Sequence, residues 1–168
     1  MNSSYMIIVS AVVVAVVILV SIRFISQQRK ARLNVIQQTL AMIKPDAVKA
    51  KHTGKIIDRI EHEGFTIIDL KKIHLGAEQA ERFYEMHKGK GFFKDLVDFM
   101  SGGPIVVLIL EKENGIDAWR KLMGATDPAK ADIGTIRAEF GTNVGNNAVH
   151  GSDSAEAATR EIKFFFPN

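Results

Sequence analysis

The 168-residue chain contains no cysteine, which excludes a disulfide scaffold, a cysteine-based zinc site and a cysteine nucleophile. It has neither a Gly-x-x-x-x-Gly-Lys-Ser/Thr loop nor a Gly-x-Gly-x-x-Gly loop, so the two common phosphate-cradling turns are missing. With 46% hydrophobic and 24% charged residues the chain is neither disordered nor collagen-like. A mean hydropathy of +0.04 excludes a many-span membrane protein. Its length allows one domain and hardly two.

A further absence is local. Residues 1–38 hold no Asp or Glu, only Arg23, Arg29, Lys30 and Arg32, and so carry +4. The remaining 18 of the chain's 22 basic residues face all 19 acidic ones, a net charge of −1. The sequence pI near 9.2 therefore describes the N-terminal segment and gives no support to a nucleic-acid partner. From Tyr5 to Ile22 the only polar residues after the tyrosine are Ser10 and Ser21. As a helix this run is about 27 Å long, near the thickness of a bilayer's hydrocarbon core.

A single transmembrane anchor over residues 1–25 is the expectation. A cleaved signal peptide fits less well, with no Lys or Arg before the apolar run and no small-x-small cleavage site after it. A buried core helix fits least, since so short a chain cannot cover all its sides. The charges after the run place the C-terminal domain in the cytoplasm, with residues 26–38 as a basic juxtamembrane linker suited to anionic lipid. Ala11 and Ala15 form only a weak small-xxx-small pair.

The rest alternates between strand and helix patterns. Strands are expected at Gln38–Ile43, Phe65–Ile73 and Pro104–Leu110. Helices are expected at Gly54–Glu63, Ala77–Lys88, Phe93–Met100, Gly115–Met123 and Ser154–Phe166. Two strand–helix–strand units of unequal length make this an α+β sheet with helices on one face.

Phosphate-competent side chains crowd the loops: Lys44 after the first strand, Arg120 and Thr126 around Met123-Gly124, and Arg137 after Gly134-Thr135-Ile136. They precede one loop histidine, in Asn147-Ala148-Val149-His150-Gly151-Ser152-Asp153-Ser154. Neutral imidazole is a nucleophile near pH 7 once a neighbour fixes its tautomer. Guanidinium groups and helix-terminal amides nearby make a phosphoryl group the matching electrophile. His52, His62, His74 and His87 lack such a context and read as surface or helix-edge residues.

The stretches TLAMIKPDAV, GFFKDLVDFMSGGP, LMGATDPAKA, GTIRAEFG and NAVHGSDS, in this order and spacing, resemble the nucleoside diphosphate kinase family from about Thr39 to Phe166. Residues 1–38 lie outside the resemblance, and the short ending at Phe164-Phe165-Phe166-Pro167-Asn168 is similar to bacterial members. The resemblance implies a ferredoxin-like α+β domain at 39–168, a four-stranded antiparallel sheet covered by helices, in a homo-oligomer (tetramer or hexamer).

It also implies phosphoryl exchange between nucleoside tri- and diphosphates by a ping-pong route through a phosphohistidine on His150. Glu161 would orient the imidazole with Ser152 in support, and Tyr84 and Lys44 would sit at the transferring phosphate. Lys44, Arg120, Thr126 and Arg137 would bind phosphates, and Asn147 the sugar and transferring end. Phe92 would stack on the base, flanked by Leu96 and Val144. Mg2+ would arrive on the nucleotide with no direct protein ligand, Asp153 being at most an outer contact. Two other readings of the same residues are a membrane-tethered scaffold and a module passing phosphate from His150 to a protein.

The chain departs from the family pattern in a few places. Lys90-Gly91 stands where Arg-Pro usually precedes the phenylalanine pair, loosening the loop that presents Phe92. Ile133 replaces a common proline in a loop linked to subunit contacts, and Ser101-Gly102-Gly103 replaces a polar-Ser-Gly sequence.

Overall fold

The computed structural model describes residues 17–23 and 35–167. Its contacts divide the chain into two units, 1–35 and Ile36–Asn168. In the first, residues 17–23 are helical. Most of the anticipated Tyr5–Ile22 span, and the linker up to residue 34, lie outside the described residues. Among the described residues no helix is long and apolar enough to cross a membrane.

The second unit begins with β1 (Ile36–Ile43), α1 (Pro45–Lys49) and α2 (Thr53–His62). It continues with β2 (Thr66–His74), α3 (Ala77–Phe83), a 3-10 turn (Glu85–His87), α4 (Phe93–Ser101) and β3 (Pro104–Glu113). Then follow α5 (Gly115–Met123), a second 3-10 turn (Pro128–Lys130), α6 (Ile136–Phe140), β4 (Val149–Gly151) and α7 (Ala155–Phe165). The strands form one sheet in the order β2-β3-β1-β4. Every neighbouring pair is antiparallel. This is the ferredoxin-like α+β arrangement.

β1 and β3 are central, and their continuous apolar runs reflect burial on both faces. Leu40 and Met42 of β1 and Ile105 and Val107 of β3 pack with Ala80 and Phe83 of α3, Val97 and Met100 of α4, and Phe165 of α7. The alternate residues Ala41, Ile43, Val106, Leu108 and Leu110 pack with Ile56 and Ile60 of α2 and with Trp119, Leu122 and Met123 of α5. Helices thus cover both faces, correcting the one-face expectation.

β1 starts two residues before the expected strand. Ile36 pairs with Glu113 and Gln37 with Lys112, so the sheet claims the last three residues of the anticipated linker. Ala77–Lys88 is not one helix; α3 ends at Phe83 and a 3-10 turn completes it. α1, α6 and β4 are three to five residues long, too short for a hydrophobic period to register. Proline at the first turn of α1 needs no intrahelical N–H partner, so Lys44-Pro45 both ends β1 and starts a helix.

Candidate active site

β4 is an edge strand whose only partner among the described residues is β1, with His150 opposite Met42. Directly paired residues project from the same face, which puts the imidazole on the Met42 side, beside α3. There the rings of Phe83 and Tyr84 meet it edge-on, with centroids 5.4 Å and 6.1 Å away. On the opposite face the Trp119 indole donates to the His150 carbonyl at 3.2 Å. A Cβ on Gly151 would overlap that indole, so glycine is what lets β4 lie against Trp119.

The ring is held by a chain of hydrogen bonds. His150 Nε2 lies 3.0 Å from Glu161 Oε2, and Ser152 Oγ donates to the same oxygen at 2.8 Å. The serine hydroxyl in turn accepts from the Leu40 N–H at 3.3 Å. Ser154 caps α7 by accepting from the Ala157 N–H, and seven residues into that helix Glu161 faces inward. Glu161 and Ser152 are buried, so this chain is anchored to the sheet and the last helix rather than to solvent. A carboxylate accepting from Nε2–H leaves Nδ1 with its lone pair.

A second group of polar residues surrounds the turn before β4. Lys44 Nζ donates to Asn147 Oδ1 at 2.7 Å, and Asn147 Nδ2 donates to the Thr126 carbonyl at 2.9 Å. Arg137, from α6, donates to the carbonyls of Gly124 at 2.9 Å and Val149 at 3.0 Å, while its Nε has no partner among the described residues. Burial, then the neighbouring Arg137, lowers the Lys44 ammonium to about 8, against the opposing pull of Asp46. Burial, then Arg120, lowers Arg137 to about 10. Two buried cations lining one cleft are a site short of negative charge. Burial, then Glu161, raises the Tyr84 phenol well above its usual range, so it stays a donor, and its hydroxyl has no partner among the described residues.

These groups line one cleft of about 790 Å³. Its floor holds Lys44, Tyr84, Arg137, Asn147 and His150, and Arg120, Thr126 and Asp153 rise at its side. Its mouth is formed by Phe92, Leu96 and Val144. Ser152 and Glu161 stand behind His150 and do not line the cleft. Every residue singled out in the sequence is therefore in the cleft or directly behind it.

His87 closes the 3-10 turn, a half-buried helix-edge position that also reaches the cleft. Its ring stacks near Tyr84 at 6.3 Å and 16°, meets Phe92 at 5.5 Å, and lines the cleft. The Tyr84-x-x-His87 spacing, one helical turn, was the available signal. Lys90 Nζ sits 3.1 Å from His87 Nδ1 and 5.8 Å from the centre of the Phe92 ring, so it braces Phe92. Asp95 and Phe99 also line the cleft, and neither was anticipated. Of the other histidines, His62 and His74 are exposed and His52, half-buried against Phe140, stands at the N-terminal edge of α2, all as expected. Ile133 is fully exposed.

The family model for nucleoside diphosphate kinase matches residues 37–168. The chain is similar to nucleoside diphosphate kinases of Geotalea uraniireducens (58% identical over 130 residues, 77% of this chain and 95% of that one). It is also similar to that of Helicobacter pylori (54%, with the same coverage). Among solved structures, the enzyme of Aquifex aeolicus superposes with a TM-score of 0.78 at 44% identity, covering 80% of this chain and 97% of that one. The halophilic enzyme of Halobacterium salinarum, solved with CDP, gives 0.77 at 37%, covering 80% and 90%. A match over so much of the chain, to relatives this similar, assigns it to a family: it is a nucleoside diphosphate kinase, an enzyme that transfers phosphoryl groups between nucleotides.

Proposed function

We propose that His150 Nδ1 is the nucleophile of a ping-pong exchange. Its lone pair attacks the γ-phosphorus of a nucleoside triphosphate, the bond to the β–γ bridging oxygen breaks, and a nucleoside diphosphate leaves. A second diphosphate then attacks the phosphohistidine in the reverse sense. The observation that carries this reading is the Nε2–Glu161 contact at 3.0 Å, which occupies one ring nitrogen and frees the other. Phosphoryl transfer asks the protein for positioning and charge neutralisation more than for covalent help. Lys44, Arg120 and Arg137 supply the charge; Asn147 and the Tyr84 hydroxyl supply aligned donors. Phe92, 52% exposed, offers the base a face without edge hydrogen bonds, which suits a broad range of bases. The Halobacterium relative was solved with CDP, a pyrimidine nucleotide, which is consistent with such a range.

Mg2+ suits this cleft as a passenger on the phosphates. Among the described residues no group of three or more His, Asp or Glu is placed to hold a metal. Among the described residues the carboxylates lining the cleft are Asp95 and Asp153. When bound, the ion would neutralise phosphate charge, with Asp153 as an outer contact.

Incubation with γ-labelled ATP tests the nucleophile. The full chain should take up acid-labile, base-stable label in proportion to enzyme, and His150→Ala should take up none. Label persisting on the variant overturns the assignment.

We also propose that the Tyr5–Ile22 run anchors the enzyme in a membrane with its kinase domain in the cytoplasm, as a homo-oligomer. Run length and the cluster of cations after it support the anchor. The full chain should resist carbonate extraction, and a chain starting at Val35 should be released. Complete recovery of the full chain in the soluble fraction would sink the anchor.

A further inference from the structure

Ala148 lies at φ +66, in the left-handed region, although it is not glycine and is fully buried. Its neighbours close a three-residue turn, since the Val149 N–H donates to the Asn147 carbonyl at 2.7 Å. A two-residue bond of this kind around a positive-φ residue is the rare and strained form of γ-turn. An alanine stays in such a conformation only where its surroundings over-determine it.

The surroundings here are one short segment. The Lys44 N–H donates to the Ala148 carbonyl at 2.8 Å, and Asp46 Oδ2 accepts from the Ala148 N–H at 3.0 Å. Both backbone polar groups of the strained residue are thus clasped by residues 44–46. One half of the clasp is a side chain, whose only other part described above is its pull on the Lys44 ammonium. The turn also separates two halves of the site. Asn147, before it, bridges Lys44 and Thr126; His150 and the Val149 carbonyl that holds Arg137 come after it.

We propose that Asp46 is a positioning residue: its carboxylate pins the strained turn at Ala148 and so keeps the His150 ring in register with Lys44, Asn147 and Arg137. The proposal rests on His150 as phosphoryl acceptor. A bystander explanation exists, since an acid in a helix's first turn is favourable whatever lies opposite it. That role has no reason to depend on residue 148. The clasp does, because glycine adopts positive φ without strain and needs no restraint to stay there.

The test compares single-turnover labelling by γ-labelled ATP with ADP affinity by calorimetry, on the full chain. For Asp46→Ala, labelling should slow on the order of 10–100-fold, the scale of a small misplacement at a reacting centre, while ADP affinity changes less than about threefold. Asp46→Asn keeps an oxygen for the Ala148 N–H and should label within about fivefold of the parent. In an Ala148→Gly background, Asp46→Ala should cost less than about a third of its effect in the parent, a non-additivity expected of coupled residues.

Unchanged labelling in Asp46→Ala overturns the clasp, as does an equal cost in both backgrounds or a loss of ADP affinity in step with the rate. If Asp46→Ala fails to fold, Asp46→Asn decides, and labelling slowed more than about tenfold rejects the proposal. Failure of the His150 reading is recognisable separately, because it shows in the parent and His150→Ala without any change at Asp46.

Discussion

The two ends of the cleft are built on different physical principles. At the reacting end Lys44, Asn147, Ser152 and Glu161 are all under 8% exposed, and each has a hydrogen-bond partner within the fold. At the mouth Phe92 and Val144 are more than half exposed and offer only apolar surface. The reacting end is assembled before substrate arrives, so little reorganisation remains for the transition state. The mouth gains its energy only when a base covers it. In the proposed function one end would set the chemistry and the other how loosely the nucleotide is chosen, and substitutions should separate the two.

The largest separation should come from Glu161→Gln. An amide can offer Nε2–H an oxygen, but without a negative charge it stabilises the ring poorly as charge develops. Phosphohistidine formation should fall by at least about 10²-fold, with ADP affinity nearly unchanged. Rapid-quench labelling beside calorimetry would show it; parallel losses of rate and affinity would erase the distinction between the two ends.

At the mouth the pattern should reverse. Phe92→Ala should raise KM about tenfold, the scale of one lost base–aromatic stack, and leave kcat within about twofold. Steady-state rates with GDP and CDP suffice, and a collapse of kcat would place Phe92 in the chemistry instead.

The smallest effect is in pH. A buried lysine at about 8 loses its charge within the working range, so kcat/KM should decline several-fold above pH 8 as phosphate attraction weakens. Lys44→Arg should remove that decline. Stability should move the other way. Unfolded Lys44, with its ordinary value of 10.5, keeps its proton between pH 8 and 10.5 where the folded residue has shed it, so this group's contribution to folding improves as pH rises across that window. A flat kcat/KM profile to pH 9.5 in the parent would remove Lys44 from phosphate binding.

The same contrast explains what the sequence disclosed. The grouping of Asn147, His150, Ser152 and Glu161 was legible from the resemblance because they lie within fifteen residues, on a turn, a strand and the inward face of one helix; their roles belong to the proposed function. The long central strands and α5 were legible from apolar runs bounded by glycine and charge. What escaped depends on distant parts of the chain meeting. β4 is a strand only because β1 lies beside it, and three residues carry no period. The second helical layer was missed although the continuous apolar runs of β1 and β3 pointed to it, since a strand covered on one face alone would alternate. The place of His87 in the cleft was not read because Phe92, which its ring meets, starts a separate helix. Asp46 was invisible because its partner is a backbone N–H 102 residues away.

The central claim is that the fold commits one ring nitrogen of His150 to Glu161 and the other to phosphorus. Phosphorus–nitrogen correlation NMR of the 15N-histidine-labelled phosphoenzyme tests it most directly. Coupling of the phosphoryl group to Nδ1 of a single histidine, lost in His150→Ala, is the predicted result. Phosphorus on Nε2, or on any other residue, would contradict the account.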